Sequence, residues 1–168
     1  MDPATLKTIA LISWFALLFA AERLRSAARS PAKPGRTLKN IGLWAPAFLA
    51  SPLFVLPLAA WADGHHLWTR PAFLSGAGGV LLSVLALDFW TYWVHRAYHE
   101  NPVLWRLHGP HHFDEHLDTT SALRFHVGEV AVSALLRLIP IFALSIPLVH
   151  LVIYETLLTA SSYFHHSN

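Results

Sequence analysis

The sequence predicts an all-α integral membrane protein, a bundle of about four or five transmembrane or re-entrant helices with a cytoplasmic histidine cluster. The first reason is composition: 54% of the 168 residues are hydrophobic and 13% are charged, whereas a soluble domain carries about 25% charged residues. The second is a series of apolar runs close to the length that spans a bilayer. The third is histidine, which occurs 12 times, as often as lysine and arginine together.

Cysteine and net charge exclude several function classes. The chain has no cysteine, which excludes disulfides, thiolate zinc sites and a cysteine nucleophile. The net charge is only +2, and the basic residues concentrate in one loop instead of forming a stripe. We therefore expect no nucleic-acid partner.

The first apolar run covers residues 6–21 and is close to spanning length. A signal peptide carries its positive charge in front and a small-residue cleavage site behind. Here most of the basic residues follow the run, and Phe19 occupies a position where a cleavage site would need a small residue. The run is therefore predicted to stay as a membrane anchor, followed by a polar, basic linker over residues 22–40 that contains Pro31, Pro34 and Gly35.

Three further apolar runs follow, at residues 41–62, 72–94 and 130–164. As one straight helix the last run would be about 52 Å long, but the hydrocarbon core is only about 30 Å thick. This run is therefore predicted to fold as a hairpin that turns near Pro140 or Pro147. Such a hairpin would bring the end of the chain back to the histidine-rich segment.

The basic residues in the loops predict the orientation. Residues 22–40 hold six of them, residues 63–71 hold one and residues 95–126 hold three. The linker and the histidines are therefore expected on the cytoplasmic side of a bacterial inner membrane or an ER-type membrane. Residues 63–71 and the N-terminus are expected on the other side.

Five histidines lie within residues 95–112. His95 and His99 are four residues apart, so they share one face of a helix. Asn101-Pro102 is expected to end that helix. The next three histidines are spaced i, i+3 and i+4, and Pro110 is predicted in the first turn of the helix that carries them; they are His108, His111 and His112.

Imidazole is a ligand for Fe, Zn, Cu and Ni, and one zinc ion needs about four ligands. The five histidines, together with His126, His165 and His166, supply more ligands than one ion can use. This number favours a site with two metal ions. Asp88, seven residues before His95, either orients an imidazole or forms a buried ion pair with Arg137.

Four stretches, DFWTYWVHRAYH, LWRLHGPHH, ALRFHVGE and YFHHSN, resemble the fatty acid hydroxylase and sterol desaturase superfamily over residues 80–168. The resemblance implies a membrane enzyme with two non-haem iron ions. Such an enzyme uses O₂ and external electrons to hydroxylate or desaturate a C–H bond of a lipid, such as a sterol or a fatty acid. It also implies a lipid substrate and a separate reductase as partners.

The motif positions that match imply the site residues. The implied metal ligands are His95, His99, His108, His111, His112 and His166, and less certainly His126 and His165. The residues implied to support these ligands are Asp88, Arg124, Glu129 and Asn168, and no separate catalytic residue is expected. Val127 departs from the family, which usually has proline at that position.

The expected domain organisation is an anchor region with two spans over residues 1–71 and a hydroxylase-like domain over residues 72–168. The family has a further group of ligand histidines after the His-Ser-Asn motif, which is formed here by residues 166–168. The second domain is therefore expected to be incomplete at its C-terminal end.

Two other function classes remain open. One is a zinc-dependent membrane hydrolase, in which a metal-bound water is the nucleophile. No glutamate that could act as a general base lies inside the two histidine motifs, because Glu100 follows His99 but lies off the face that carries the ligands. The other is a metal-binding protein without activity, such as a truncated family member.

Overall fold

The computed structural model describes residues 3–28 and 35–168, and all regular secondary structure in this part of the chain is helical. The predicted all-α fold is thereby confirmed. The elements are α1 (Pro3–Leu24), α2 (Arg36–Asp63), a first 3-10 turn (Ala72–Leu74), α3 (Ala77–Glu100), α4 (Pro102–His112), a second 3-10 turn (Thr119–Leu123), α5 (Val127–Leu144) and α6 (Leu148–His166).

Within these two ranges, four helices are long and apolar enough to cross a membrane. They are Thr5–Leu24 in α1, Arg36–Asp63, Ala77–Glu100 and Val127–Leu144. Their outer surfaces expose large apolar side chains, such as Leu53 at 78% and Phe89 at 66%. Lipid is the solvent that would cover such a surface without cost.

One end of the bundle gathers the C-terminal ends of α1, α3 and α6 and the N-terminal ends of α2 and α5. At this end Glu22 Oε2 accepts a hydrogen bond from the backbone N–H of Thr119 at 2.9 Å. Arg36 Nε donates to Asp114 Oδ1 at 2.8 Å. The two ends of the predicted linker therefore lie on the same side of the bundle as the histidine-rich segment.

The opposite end carries the α5–α6 turn and residues 63–71. There Asp63 Oδ1 accepts from the backbone N–H of Leu148 at 2.8 Å. Arg70 Nη1 donates to the carbonyl of Leu144 at 2.7 Å. These contacts close the bundle on the side away from the histidines.

The predicted hairpin of the last apolar run is confirmed, and it turns just before Pro147. Helix α5 ends at Leu144, and the next residue, Ser145, has a φ of 44°. This left-handed conformation is a common way to end a helix. Pro140 lies inside α5 and does not make the turn.

Helices α1 and α6 pack side by side and run in the same direction. Lys7 Nζ forms an ion pair with Glu155 Oε2 at 2.7 Å near the start of both helices. One turn or more further on, Trp14 Nε1 donates to the carbonyl of Ala160 at 3.0 Å. The parallel course brings the end of α6 to the histidine end of the bundle.

The linker prediction needs correction in two respects. Residues 22–40 are not one loop, because α1 continues to Leu24 and α2 begins at Arg36. Pro31 and Pro34 lie outside the described residues. Arg36, one residue of the basic run, is also not a free surface charge, because its side chain is only 13% exposed and pairs with Asp114 and Asp118.

Candidate metal centre

The C-terminal end of α3 presents His95 and His99 on one face, as predicted. Their Nε2 atoms lie 3.1 Å apart. Asn101 ends this helix with an extended backbone, and its side chain accepts hydrogen bonds from the N–H groups of Val103 and Leu104. It thus caps α4, whose first residue is Pro102.

Helix α4 presents the second group of histidines. His108 Nε2 and His112 Nε2 lie 3.0 Å apart. The predicted place of Pro110 is wrong, because α4 begins at Pro102 and Pro110 lies in its last turn. The helix begins at Pro102, six residues before His108, since Asn101 caps it there.

The two helices bring four imidazoles into one volume. The ligand atoms of the four lie within 4.8 Å of one another; the residues are His95, His99, His108 and His112. The rings pair across the two helices as well as along them, with centroids 4.6 Å apart for His95 and His108. The same distance separates the centroids of His99 and His112.

A second imidazole pair adjoins this cluster. His166, at the end of α6, places its Nε2 atom 3.1 Å from Nε2 of His111. The ring of His111 in turn lies 5.4 Å from that of His108, centroid to centroid. The end of the hairpin therefore reaches the histidine-rich segment, as predicted.

Hydrogen bonds at the opposite ring nitrogen set the tautomer of two imidazoles. His166 Nδ1 lies 2.7 Å from the carbonyl oxygen of Ser162, which can only accept a proton. His108 Nδ1 lies 2.8 Å from Glu129 Oε1 in a buried pair. With the hydrogen on Nδ1, the Nε2 lone pair of each ring faces the cluster, which is the form that binds a metal.

Burial lowers the pKa of two imidazoles of α4, those of His111 and His112. The pKa of His111 falls from 6.5 to about 3, mainly through burial and then through repulsion by His166, His108 and His112. The pKa of His112 is lowered for the same first reason, with further contributions from His108, His99 and His166. A metal must displace protons from its ligands, so a lowered pKa removes this competition near pH 7.

Four other predicted site residues lie outside the imidazole cluster. His126 Nδ1 accepts from the N–H of Gly128 and so caps α5. His165 is exposed and contacts the ring of Phe164. The Asn168 amide forms two hydrogen bonds with the backbone of Ala28.

The fourth residue, Arg124, bonds to the Pro110 carbonyl at 2.9 Å and to Asn40 Oδ1 at 2.9 Å. It contacts the backbone of α4 rather than an imidazole nitrogen. Its role at the centre is therefore indirect, through the helix that carries three of the histidines.

Asp88 lines the cavity that extends from the imidazoles into the bundle. The predicted ion pair of Arg137 forms with Glu155 on α6, at 2.9 Å, and not with Asp88. With a rise of 1.5 Å per residue, Asp88 lies about 10 Å deeper along α3 than His95. Its carboxylate is therefore nearer to the lipid-spanning part of the cavity than to the cluster.

Three side chains that the sequence did not single out support the cluster. The Trp105 ring stacks on His112 with centroids 5.7 Å apart. Phe125 stacks on His111 at 5.5 Å. The Tyr98 hydroxyl donates to the backbone carbonyl of Glu129 at 3.2 Å. Tyr98 lies one residue before His99, and only a three-dimensional contact distinguishes it from the other aromatic residues of α3.

A cavity of about 700 Å³ extends from the imidazoles into the bundle. The histidines that line one end are His95, His108, His111, His165 and His166. Apolar side chains of α2, α3, α5 and α6 form most of the wall, together with the charged group Asp88, Arg137 and Glu155. A cavity of this size, mostly apolar with a few polar groups, is typical of a small-molecule site.

The residues present fit a metal centre. Several Nε2 atoms converge, and two of them have their lone pair directed inward by the hydrogen bonds described above. Among the described residues, Glu129 Oε2 is buried without a hydrogen-bond partner. Buried polar atoms are nearly always satisfied, so this oxygen points to a missing ligand, ion or water.

Comparisons with known proteins agree with the geometry. The sequence model of the family described as Fatty acid hydroxylase matches residues 80–168, slightly more than half of the chain. Ornithine lipid hydroxylase OlsE of Rhizobium tropici is 32% identical over 97 residues, which is 58% of this chain and 29% of that protein. The matched part thus spans less than a third of the relative's length. No solved structure matches the chain.

Proposed function

Because the chain belongs to the fatty acid hydroxylase family, we propose that it is a membrane-bound, O₂-dependent oxidoreductase that hydroxylates or desaturates a C–H bond of a lipid. The observation that carries this proposal is the convergence of four imidazoles within 4.8 Å at the end of membrane-length helices. The cavity that begins at these imidazoles would hold the reacting part of the lipid.

The ligands for two non-haem iron ions are proposed from the same geometry. His95, His99, His108 and His112 would hold one ion. The neighbouring pair, His111 and His166, would contribute to a second. Bound iron would supply the activation of O₂ that oxidation of an unreactive C–H bond requires.

Glu129 and Tyr98 would hold the centre in place. Glu129 accepts a hydrogen bond from the Nδ1–H group of His108, and this keeps the Nε2 lone pair of His108 free for a metal. Tyr98 bonds to the Glu129 backbone and to Ser133 Oγ, at 3.2 and 3.0 Å. These contacts join α3 to α5, so the imidazoles of α3 and α4 keep a constant separation.

The substrate is proposed to be a lipid with a polar group. The name of the relative in Rhizobium tropici states ornithine lipid hydroxylation, and an amino-acid lipid is therefore the first substrate to test. The cavity supports this choice, because Asp88 and Arg137 line it and could pair with an ammonium and a carboxylate group. An unsubstituted hydrocarbon would leave Asp88 without an ion-pair partner, whereas Arg137 already pairs with Glu155.

Electrons would come from a separate reductase at the histidine end, which would face the cytoplasm if the basic loop residues follow the positive-inside rule. Hydroxylation leaves one oxygen atom of O₂ in the lipid and the other in water, with two electrons from the reductase and two protons from the solvent. The exposed imidazoles of His95, His99 and His112 make this face of the centre accessible to a partner.

The zinc hydrolase is the second candidate function, because imidazoles also bind zinc. Metal analysis of the purified protein, combined with O₂ consumption in the presence of lipid and a reductant, tests the two candidates. Our proposal predicts bound iron and lipid-dependent O₂ uptake. Stoichiometric zinc without O₂ uptake would favour the hydrolase, and metal binding without either activity would favour an inactive relative.

A further inference from the structure

Asn40 lies in the second turn of α2, outside the residues that match the family. It is 0% exposed, and its amide is hydrogen-bonded at both ends. Oδ1 accepts from Arg124 Nη1 at 2.9 Å. Nδ2 donates to Thr120 Oγ1 at 2.9 Å and, more weakly, to Asp114 Oδ2 at 3.4 Å.

Arg124 extends this contact to the helix that carries three histidines. Its Nε atom donates to the carbonyl of Pro110 at 2.9 Å. Pro110 lies between His108 and His111, in the last turn of α4, where the carbonyl has no partner within the helix. The residue that follows Arg124 is Phe125, whose ring stacks on His111.

Arg36, one turn before Asn40, holds the intervening loop. Its guanidinium makes two hydrogen bonds to Asp114, at 2.8 and 2.9 Å. It also bonds to Asp118 and to the carbonyl of His116. The loop between α4 and the second 3-10 turn is therefore attached to α2 over its whole length.

We propose that Asn40 is a positioning residue for the metal centre, because it holds Arg124 against the Pro110 carbonyl and so sets the position of the imidazoles on α4. The inference rests on the proposed metal-binding function. It assigns residues before the family match a role in the centre in addition to membrane anchoring. Loss of the Asn40 amide leaves buried donors and acceptors unsatisfied, and the Arg124 side chain is then free to leave Pro110.

Two variants of Asn40 separate this role from general stability. Asn40→Leu removes the amide at similar volume. Asn40→Asp keeps an acceptor for Arg124 and loses the donors. The matched control is Ser83→Ala: Ser83 is also buried and bonded, to Gly79 and His150, but at the opposite end of the bundle.

The measurement is titration of the purified full chain with Co²⁺, whose visible absorption reports the ligand geometry. Asn40→Leu is expected to weaken Co²⁺ binding about tenfold or more and to change the absorption spectrum, as loss of an indirect support does in other metal sites. Asn40→Asp is expected to weaken binding less than Asn40→Leu, because its carboxylate still accepts from Arg124, although its second oxygen then faces Asp114. Ser83→Ala is expected to lower the thermal midpoint and to keep the wild-type affinity and spectrum.

Hydrogen exchange of the metal-free protein gives a second readout at the backbone amides of His108, His111 and His112. Exchange is expected to be faster in Asn40→Leu and in Arg124→Lys. The lysine keeps the positive charge but cannot donate to the Pro110 carbonyl and to Asn40 Oδ1 at the same time, as the guanidinium does. It should be unchanged in Ser83→Ala. If Asn40→Leu does not fold, Arg124→Lys provides the test.

The positioning role is overturned if Asn40→Leu and Arg124→Lys bind Co²⁺ like wild type, or if Ser83→Ala weakens binding as much as they do. If the wild-type chain binds no Co²⁺, the proposed metal centre is wrong. The exchange measurement then still decides whether Asn40 positions α4.

Discussion

His108 and Glu129 form a buried pair across α4 and α5, with Nδ1 of the imidazole 2.8 Å from Oε1 of the carboxylate. The pair connects the middle of the imidazole cluster to a helix that is long and apolar enough to cross a membrane. It also sets which nitrogen of His108 faces the other imidazoles of the cluster. The second carboxylate oxygen is buried and has no hydrogen-bond partner among the described residues.

Removal of the Glu129 carboxylate is therefore expected to weaken metal binding without removing a ligand. Glu129→Ala should reduce iron affinity about 10–100-fold, and Glu129→Gln should reduce it less, because the amide oxygen still accepts from His108. Competition with a chelator measures both affinities. Glu100→Gln is the control, since Glu100 is exposed and pairs with Arg96. Equal affinities for wild type and Glu129→Ala would show that the pair does not support a ligand.

The two neighbouring histidines at the end of α6 are expected to differ in their effect. His166→Ala should release part of the bound metal, because His166 Nε2 faces His111 Nε2 at 3.1 Å. His165→Ala should retain nearly all of it, because the His165 side chain is exposed and contacts Phe164. Metal content per chain after gel filtration measures the difference. If His165→Ala loses as much metal as His166→Ala, the assignment of His166 as the ligand of this pair is wrong.

Asp88 is expected to act on the substrate and not on the metal. Asp88→Asn should leave the iron content unchanged and weaken binding of a lipid with an ammonium group, because Asp88 lines the cavity about 10 Å below His95. Binding of an amino-acid lipid and of a neutral lipid of equal chain length should be compared in nanodiscs. A fall in iron content would instead indicate that Asp88 orients an imidazole.

The lowered pKa of His111 predicts acid sensitivity of the metal-free protein. His111 titrates at about 3 in the folded chain, mainly because it is buried, and near 6.5 when unfolded. Between these values the unfolded state binds more protons, so stability falls as the pH is lowered from about 6.5 towards 3. At pH 5 the loss from this residue is up to about 2 kcal/mol.

The pH dependence of the thermal midpoint, measured without metal at pH 7 and pH 5, checks this prediction. His111→Gln should lose less stability over that interval than wild type, because it removes one titrating group. An identical loss in both proteins would show that His111 does not keep its lowered pKa in the folded state.

Much of the centre was predictable because its features are local in sequence. The spacing of His95 and His99 places both on one face of any helix. As a single helix, residues 130–164 would be longer than the bilayer is thick, and this predicted the hairpin. The hairpin in turn predicted that His166 lies near the histidine-rich segment.

The features that sequence did not predict depend on contacts between distant segments. Asn40 and Arg124 are 84 residues apart, and their hydrogen bond leaves no periodic pattern in either segment. The start of α4 was misplaced for a local reason, since Pro102 and Pro110 can both begin a helix and only the Asn101 cap decides between them. Arg36 lies in a basic segment of the kind found at membrane surfaces, so the sequence gives no sign that it is buried. Its burial is explained only by its acidic partners in the later loop.

The most direct test of the proposed function is the fate of isotopically labelled O₂. The iron-loaded protein should be incubated with a polar membrane lipid, a reductant and a reductase, and the lipid analysed by mass spectrometry. For a hydroxylase we predict one labelled oxygen atom in the product, and for a desaturase the loss of two hydrogen atoms, both dependent on O₂ and abolished by His108→Ala. Lipid that stays unchanged, or that is cleaved with oxygen from water, would contradict the account.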